Sequence, residues 1–483
     1  MSLRLRNHCC TSREDQLKTN GCRLPVVFSK RQLIATIFYA TKIPDDQTLK
    51  DLLFVNASQV VTLAGPARAR KGAEMKEAGI LRQAAVAVSD GRIAAIGAAR
   101  DLQDAYSSAE IVDCRGGVLT PGLVDSHTHT VFGKARFEEH ELRAEGHDYM
   151  EIAKRGGGIH ASVRDFRDRA DDELYDLAVA RVQELASYGT TTLEIKSGYG
   201  LTVDDEVKAL RVIGRLADRL PVRIVATWLG AHEIPHEFRT SDARRAEYLD
   251  LLTNDMLPKV VAQGIARFAD VFCEPGVFTI DETRRILEAS RKAGLGIKLH
   301  ADELKPCGGA ELAASLGAVS ADHLAAISEK GVAALAKSDT VATLLPGTML
   351  FLGKSTQAPA RALIDAGAAV ALATDFNPGT SPTVNFPLML TLAVSQLRMS
   401  LAEALCAATV NGAAALGLAG ETGQIAPGFA ADLSLFAIGD VRELPYWYGA
   451  RLCVGSWKAG APCHPYESGS KLNARSPENL LPG

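Results

Sequence analysis

The sequence predicts an α/β protein: a (β/α)8 TIM-like barrel with a small β-sandwich domain built from both chain ends. Three observations carry that expectation. Across the middle of the chain, short apolar and β-branched runs alternate with long amphipathic stretches, as parallel strands with crossover helices require. Strand-like segments without helical patterns stand on either side of that region. The length, 483 residues, suits one large barrel with an appendage, and no Gly-X-Gly-X-X-Gly opens a helix after an early strand, which an open doubly wound sheet would favour.

Composition sets the outer bounds. With 47% hydrophobic and 23% charged residues the chain can bury a sizeable core, which excludes a disordered or fibrous protein. Lys and Arg total 53 against 57 Asp and Glu, so no basic surface suggests nucleic acid or an anionic membrane as partner. No apolar run reaches the roughly 18 residues of a membrane helix. Nine cysteines without a Cys-X-X-Cys pair are too sparse for a disulfide framework and point to free thiols in the cytoplasm.

The elements follow in chain order. Residues 1–50 are expected to form a disordered or loosely attached extension. They contain Cys9-Cys10 and one short apolar run at 33–40 without a small-residue cleavage site, and Glu14, Asp15, Asp45 and Asp46 argue against a targeting segment. Residues 51–56 and 59–63 are β-branched runs. Residues 84–88 and 93–96 flank Ser89-Asp90-Gly91, a hairpin signal because Gly tolerates the positive φ of a tight turn. Residues 51–114 are therefore assigned to the small domain together with 425–466, where 423–428 is a turn and 432–436 alternates. The barrel is assigned to 115–424. Its strands are expected near 190–195, 222–229, 269–272, 296–299, 318–321, 341–345 and 369–374, and helices near 172–188, 203–219 and 244–263. Thr279 with Glu282, and Ser400 with Glu403, have capping-box spacing. The tail, 467–483, is rich in Ser, Asn, Pro and Gly and is expected to be disordered.

Several strands end in residues that can carry chemistry, on the face where barrels react. In Gly122-Leu-Val-Asp-Ser-His-Thr-His129 the two histidines are two apart and share a face, an arrangement that suits a divalent metal such as zinc or iron. With 11 histidines, chance gives about 0.25 such pairs, so the motif alone is weak. Ile297-Lys-Leu-His300-Ala-Asp-Glu303 ends an apolar run in a histidine, with a carboxylate three residues on to act as general acid or base. Ser320-Ala-Asp-His323 and Thr227-Trp-Leu-Gly-Ala-His232 end the same way. Val370-Ala-Leu-Ala-Thr-Asp375 supplies a hard oxygen ligand or a proton acceptor. Each of these has an ordinary reading as a core histidine, a helix cap or a solvated carboxylate; their shared position at strand ends is what argues for a site.

These residues resemble the amidohydrolase superfamily: His-X-His on the first strand, His on the fifth and sixth, Asp on the eighth. Longer strings resemble the imidazolonepropionase family within it: Asp125-Ser-His-Thr-His-Thr-Val-Phe-Gly133, the stretch from Tyr149 through Gly156 to Ile159, Glu194-Ile-Lys-Ser-Gly-Tyr-Gly200, His300-Ala-Asp-Glu303, Ser320-Ala-Asp-His-Leu324 and Asp375-Phe-Asn-Pro-Gly-Thr380. The resemblance implies a hydrolase that opens the cyclic amide of 4-imidazolone-5-propanoate in histidine catabolism. It implies that His127, His129, His300 and Asp375 hold one divalent ion, zinc or iron, and that Arg136, Tyr149, Tyr199 and His232 contact a small anionic substrate, with Arg136 on its carboxylate. It further implies that Glu303 contacts the ring and that Asn377, Gly379 and Thr380 line the other side; relatives are often homodimers, and the sequence leaves the oligomeric state open. Glu303, His323 and Asp375 are the expected proton-transfer groups. The fourth strand, near Ala269-Asp-Val-Phe-Cys-Glu274, carries no lysine of the kind that bridges two metals in relatives, so one metal is expected; Lys196 lies on the second strand. Two rivals share these features: a metal-dependent deaminase of a nucleobase or related heterocycle, and an inactive scaffold. Arg136 and Tyr199 speak against the first, and the filled ligand positions against the second.

Overall fold

The computed structural model describes residues 50–147, 151 and 157–466. The expected extension, Tyr149, most of the 149–159 string and the tail lie outside them.

The apolar runs of the middle region form one eight-stranded sheet, every neighbouring pair parallel: Leu123–Asp125, Thr190–Lys196, Arg223–Ala231, Phe268–Cys273, Gly296–Ala301, Ser320–His323, Val341–Leu344 and Val370–Leu372, in that spatial order. The first and eighth meet just past their ends, where Thr128 and Phe376 bridge, the Asp375 N–H donates to the His127 carbonyl at 3.0 Å, and the His129 N–H donates to the Phe376 carbonyl at 2.8 Å. The buried Asp125 carboxylate reinforces this closure by accepting from the Thr374 N–H at 3.0 Å and its hydroxyl at 2.6 Å. Closure thus falls between the two segments that carry His127, His129 and Asp375.

Helices Asp171–Ala186 and Val203–Arg219 follow the expected patterns, and Thr279 and Ser400 both form capping boxes. The stretch expected as one helix over 244–263 is divided instead: Asp242–Asp250, a π-helical turn Leu251–Met256, then Leu257–Gln263. Pro258 sits in the first turn of the last piece, and its missing N–H breaks the regular ladder there. Among the described residues no helix is long and apolar enough to cross a membrane.

The N-terminal flank supplies every strand of a four-stranded sheet, and both flanks contribute to a six-stranded one. One has the order Arg92–Ala98, Ala84–Ser89, Leu52–Val55, Glu110–Asp113; the other Ala461–His464, Cys453–Lys458, Leu433–Phe436, Val118–Pro121, Gln59–Val61, Ile80–Arg82. The expected hairpin forms at Asp90 and Gly91, both with positive φ (52° and 72°). Leu433–Phe436 alternates as expected, yet all four residues are buried. Leu433 and Leu435 join a core with Phe54 and Trp457, whereas Phe436 joins the barrel-side core and the Ser434 hydroxyl donates to the Gly189 carbonyl at 2.8 Å. This strand faces two apolar cores, so its alternation marks no solvent side.

Candidate active site

His127 and His129 follow the first strand with Thr128 turned away between them, its hydroxyl donating to the Glu194 carbonyl at 2.6 Å. Ligand-capable atoms of His127, His129 and His300 all lie within 4.8 Å of one another, as do those of His127, His323 and Asp375. Asp375 Oδ1 is 3.5 Å from His127 Nε2 and 3.6 Å from His129 Nε2. None of these five residues is more than 5% exposed. Burial holds His127, His129 and His323 well below the usual imidazole range, so all three rings are neutral with a free lone pair. Nε2 of His127 and Nε2 of His300 are buried without a hydrogen-bond partner. Orphaned nitrogens cost free energy unless something binds them. Imidazoles and a carboxylate gathered this closely are a donor set that suits a metal ion.

The backbone bends to bring them together. Neighbouring residues on a regular strand face opposite ways, yet Asp322 and His323 both reach His127: Asp322 Oδ2 is 2.7 Å from its Nδ1, and the His323 ring centroid is 5.3 Å from its own. His323 takes φ +78°, and Asp375 takes φ +52° at the end of the eighth strand. Left-handed conformations in non-glycine residues are strained, and their clustering here accompanies the converging side chains. The Thr348 hydroxyl braces Asp375 by donating to Oδ2 at 2.7 Å.

Beneath the histidines lies a layer that sequence reasoning left without a role. Asp270 Oδ2 is 3.0 Å from His300 Nδ1, and Lys196 Nζ is 2.7 Å from Asp270 and 2.8 Å from Glu194. Burial pulls the Lys196 pKa down, but Asp270, Glu194 and Asp322 outweigh it and hold the ammonium above its ordinary range. A signal for this layer was present: Glu194, Lys196, Asp270, Lys298 and Asp322 are charges inside strands otherwise built to be buried.

Of the remaining expected residues, His232 and Tyr199 pack by the histidines, Glu303 approaches His323, and Arg136 lines a cavity that neither the histidines nor Asp375 border. The His232 ring stacks on His129 with centroids 5.0 Å apart, and Tyr199 lies 5.5 Å from His232. His232 Nδ1 donates to the Gly198 carbonyl at 2.9 Å, and burial drives its pKa to about 3. Gly198 has φ +106°, and a Cβ there would fall 2.8 Å from His232 Nδ1, so only glycine fits. The buried Glu206 carboxylate fixes this loop by accepting from the N–H groups of Gly198, Gly200 and Leu201. Glu303 Oε2 is 3.6 Å from His323 Nδ1; burial, then Asp375 and Glu274, push its pKa well above the usual range, which favours the protonated acid. Glu274 holds the Glu303 loop by accepting from the N–H groups of residues 303, 304 and 305.

Arg136 lies beside a cavity of about 260 Å³ that Ser162 and Glu139 also line. Its Nη1 donates to the Ser162 hydroxyl at 3.4 Å, and its Nε is 3.6 Å from Glu139. A Cβ on Gly379 would fall 1.3 Å from Arg136 Nη2, so that glycine makes room for the guanidinium. Asn377 is turned into its own loop: Oδ1 accepts the Gly379 and Thr380 N–H groups, and Nδ2 donates to the Asp375 carbonyl at 2.7 Å and the Thr380 hydroxyl at 2.9 Å. Its side chain therefore shapes the Asp375 turn.

Residues 118–462 match the amidohydrolase family. The chain is 46% identical over 414 residues to an imidazolonepropionase of Symbiobacterium thermophilum, covering 85% of this chain and 96% of that one. It is 45% identical over 406 residues to an imidazolonepropionase of Geobacillus kaustophilus, covering 83% and 95%. Among solved structures, an adenosine deaminase from Xanthomonas campestris with bound zinc superposes with a TM-score of 0.63 at 22% identity, covering 86% of this chain and 92% of that one. That last likeness speaks to the fold.

Proposed function

The chain belongs to the amidohydrolase family and, within it, to the imidazolonepropionases, and from that premise we propose how its own residues carry out the reaction. It is a hydrolase of a carbon–nitrogen bond in a cyclic amide: 4-imidazolone-5-propanoate and water give N-formimidoyl-L-glutamate, a step of histidine catabolism.

His127, His129, His300 and Asp375 would hold one divalent ion, zinc or iron, which when bound supplies a Lewis acid and an acidic water. Arg136 takes the propanoate, its planar fork matching a carboxylate in two charge-assisted hydrogen bonds. Tyr199 and Tyr149 contact the substrate, and the Thr380 hydroxyl and the Gly379 backbone line the far side. Neutral His323 donates to the ring carbonyl; His232, whose single proton is spent on the Gly198 carbonyl, contacts the substrate as an acceptor through Nε2. Asp375, braced by Thr348, takes the proton of the attacking water. Glu303, kept protonated by burial, gives its proton to the ring nitrogen as the carbon–nitrogen bond breaks. The six described cysteines are free thiols, which supports a cytoplasmic placement.

The close approach of His127, His129 and His300, with Asp375 Oδ1 3.5 Å from His127 Nε2 and 3.6 Å from His129 Nε2 and two Nε2 atoms orphaned, supports this reading. The test is an absorbance assay with 4-imidazolone-5-propanoate, with the product identified by mass spectrometry. We expect formation of N-formimidoyl-glutamate without ammonia. Ammonia release from cytosine or guanine, with imidazolonepropanoate left intact, would overturn it in favour of a deaminase.

A further inference from the structure

Five ionisable side chains sit in the barrel beneath the histidines and take no part in the steps above. They are Glu194 and Lys196 on the second strand, Asp270 on the fourth, Lys298 on the fifth and Asp322 on the sixth, none more than 1% exposed. Charges this deep are costly unless each finds partners, so their pairing is informative. Lys196 Nζ is 2.7 Å from Asp270 Oδ2, 2.8 Å from Glu194 Oε2 and 3.6 Å from Asp322 Oδ2. Each aspartate oxygen that meets Lys196 also meets a histidine: Asp270 Oδ2 is 3.0 Å from His300 Nδ1, and Asp322 Oδ2 is 2.7 Å from His127 Nδ1. Asp270 is doubly committed to His300, because Oδ1 accepts that residue's main-chain N–H at 3.1 Å. Lys298 is placed differently: its Nζ is 2.9 Å from Glu194 and from the Ser126 carbonyl and 3.8 Å from Asp322 Oδ2, so it adds to the His127 side but does not join that side to Asp270 and His300.

A carboxylate on one imidazole nitrogen draws the ring proton to that side and leaves the other nitrogen's lone pair free. Here both carboxylates lie beside Nδ1, Asp322 hydrogen-bonded to His127 and Asp270 3.0 Å from His300 without hydrogen-bond alignment, and the atoms on the far side are the Nε2 atoms of His127 and His300 that the protein leaves unpartnered. Charge agrees. Three carboxylates against two ammoniums leave one negative charge in the layer, and Asp375 raises it to two, the complement of one divalent cation.

We propose that Lys196 is a positioning residue for the metal centre: one ammonium shared by Asp270 and Asp322 fixes the ring protons of His300 and His127 on Nδ1, and so presents both Nε2 atoms to a single cation. The inference rests on the proposed ligand roles of His127 and His300.

The test titrates the metal-stripped full chain with Co(II), following its visible ligand-field bands and measuring affinity by competition with a chelator. The parent binds one Co(II). Lys196→Met and Asp270→Asn each weaken binding about 10- to 100-fold and alter the bands. With both aspartates already replaced, in Asp270→Asn/Asp322→Asn, adding Lys196→Met costs no further affinity, because both linkages through which the ammonium acts are gone. Should Lys196→Met fail to fold alone, that pair of variants still decides: a further tenfold loss on adding Lys196→Met would overturn the proposal. Unchanged affinity and bands in Lys196→Met would overturn it alone, with the ligand roles intact. A parent that takes up no Co(II) would overturn the ligand roles and this inference together.

Discussion

In the two-sheet region, Phe54 meets Trp457 edge-on at 4.9 Å, and Leu119, Leu433 and Leu435 pack around them, carbon against carbon. At the barrel's C-terminal rim, the same degree of burial encloses four histidines and Asp375, with five imidazole nitrogens lacking a hydrogen-bond partner. The first region stabilises itself by removing apolar surface from water. The second is built at a cost in strain and desolvation that a bound ligand offsets. The contrast teaches where to look in a barrel: a buried polar atom without a partner marks a bond left for something outside the chain.

The largest effect that tests this contrast lies at the rim. Asp375→Asn should lower turnover by about 10³-fold, equivalent to about 4 kcal/mol of barrier, and reduce bound metal while the fold stays intact by circular dichroism. Next comes its mirror image. Phe54→Ala should cost about 3–5 kcal/mol in denaturant unfolding yet leave kcat per folded molecule within about twofold. Parallel losses of stability and activity in both variants would erase the distinction.

Two finer changes probe the opening. Arg136→Lys keeps the charge and loses the fork, so KM should rise about tenfold with little change in kcat. Gly379→Ala pushes a methyl into the guanidinium and should raise KM in the same direction; an unchanged KM would mean that Arg136 lies off the substrate.

The smallest effect is a pH dependence in the two-sheet region. Arg442, and then the Arg442 N–H, hold Asp440 down at about 2, below its unfolded value near 3.8. A depressed carboxylate adds stability above its unfolded pKa and loses it as pH falls through the folded one. Asp440→Asn should therefore cost well under about 1 kcal/mol at pH 7, and the difference from the parent should vanish between pH 4 and 2. A difference that persists at pH 2 would show that the ion pair is not its source.

Much of this was legible in the sequence because each rim residue ends an apolar run, and strand ends in a parallel barrel share one face. His127, His129, His300, His323 and Asp375 needed no knowledge of which strands pair. The layer below did need it: Lys196 meets Asp270 across 74 positions of sequence, a link that no local pattern encodes. Asn377 was expected from the resemblance to line the substrate, and no local pattern shows that its side chain also hydrogen-bonds its own turn. The double face of Leu433–Phe436 was hidden for a similar reason, since a serine that hydrogen-bonds into the barrel reads as solvent-facing.

The most direct test of the central claim is metal and turnover measured in one preparation. Elemental analysis should find one divalent ion per chain, and stripping it with a chelator should abolish hydrolysis of 4-imidazolone-5-propanoate and leave the two-sheet region folded. Full turnover by metal-free protein would contradict the account at its root.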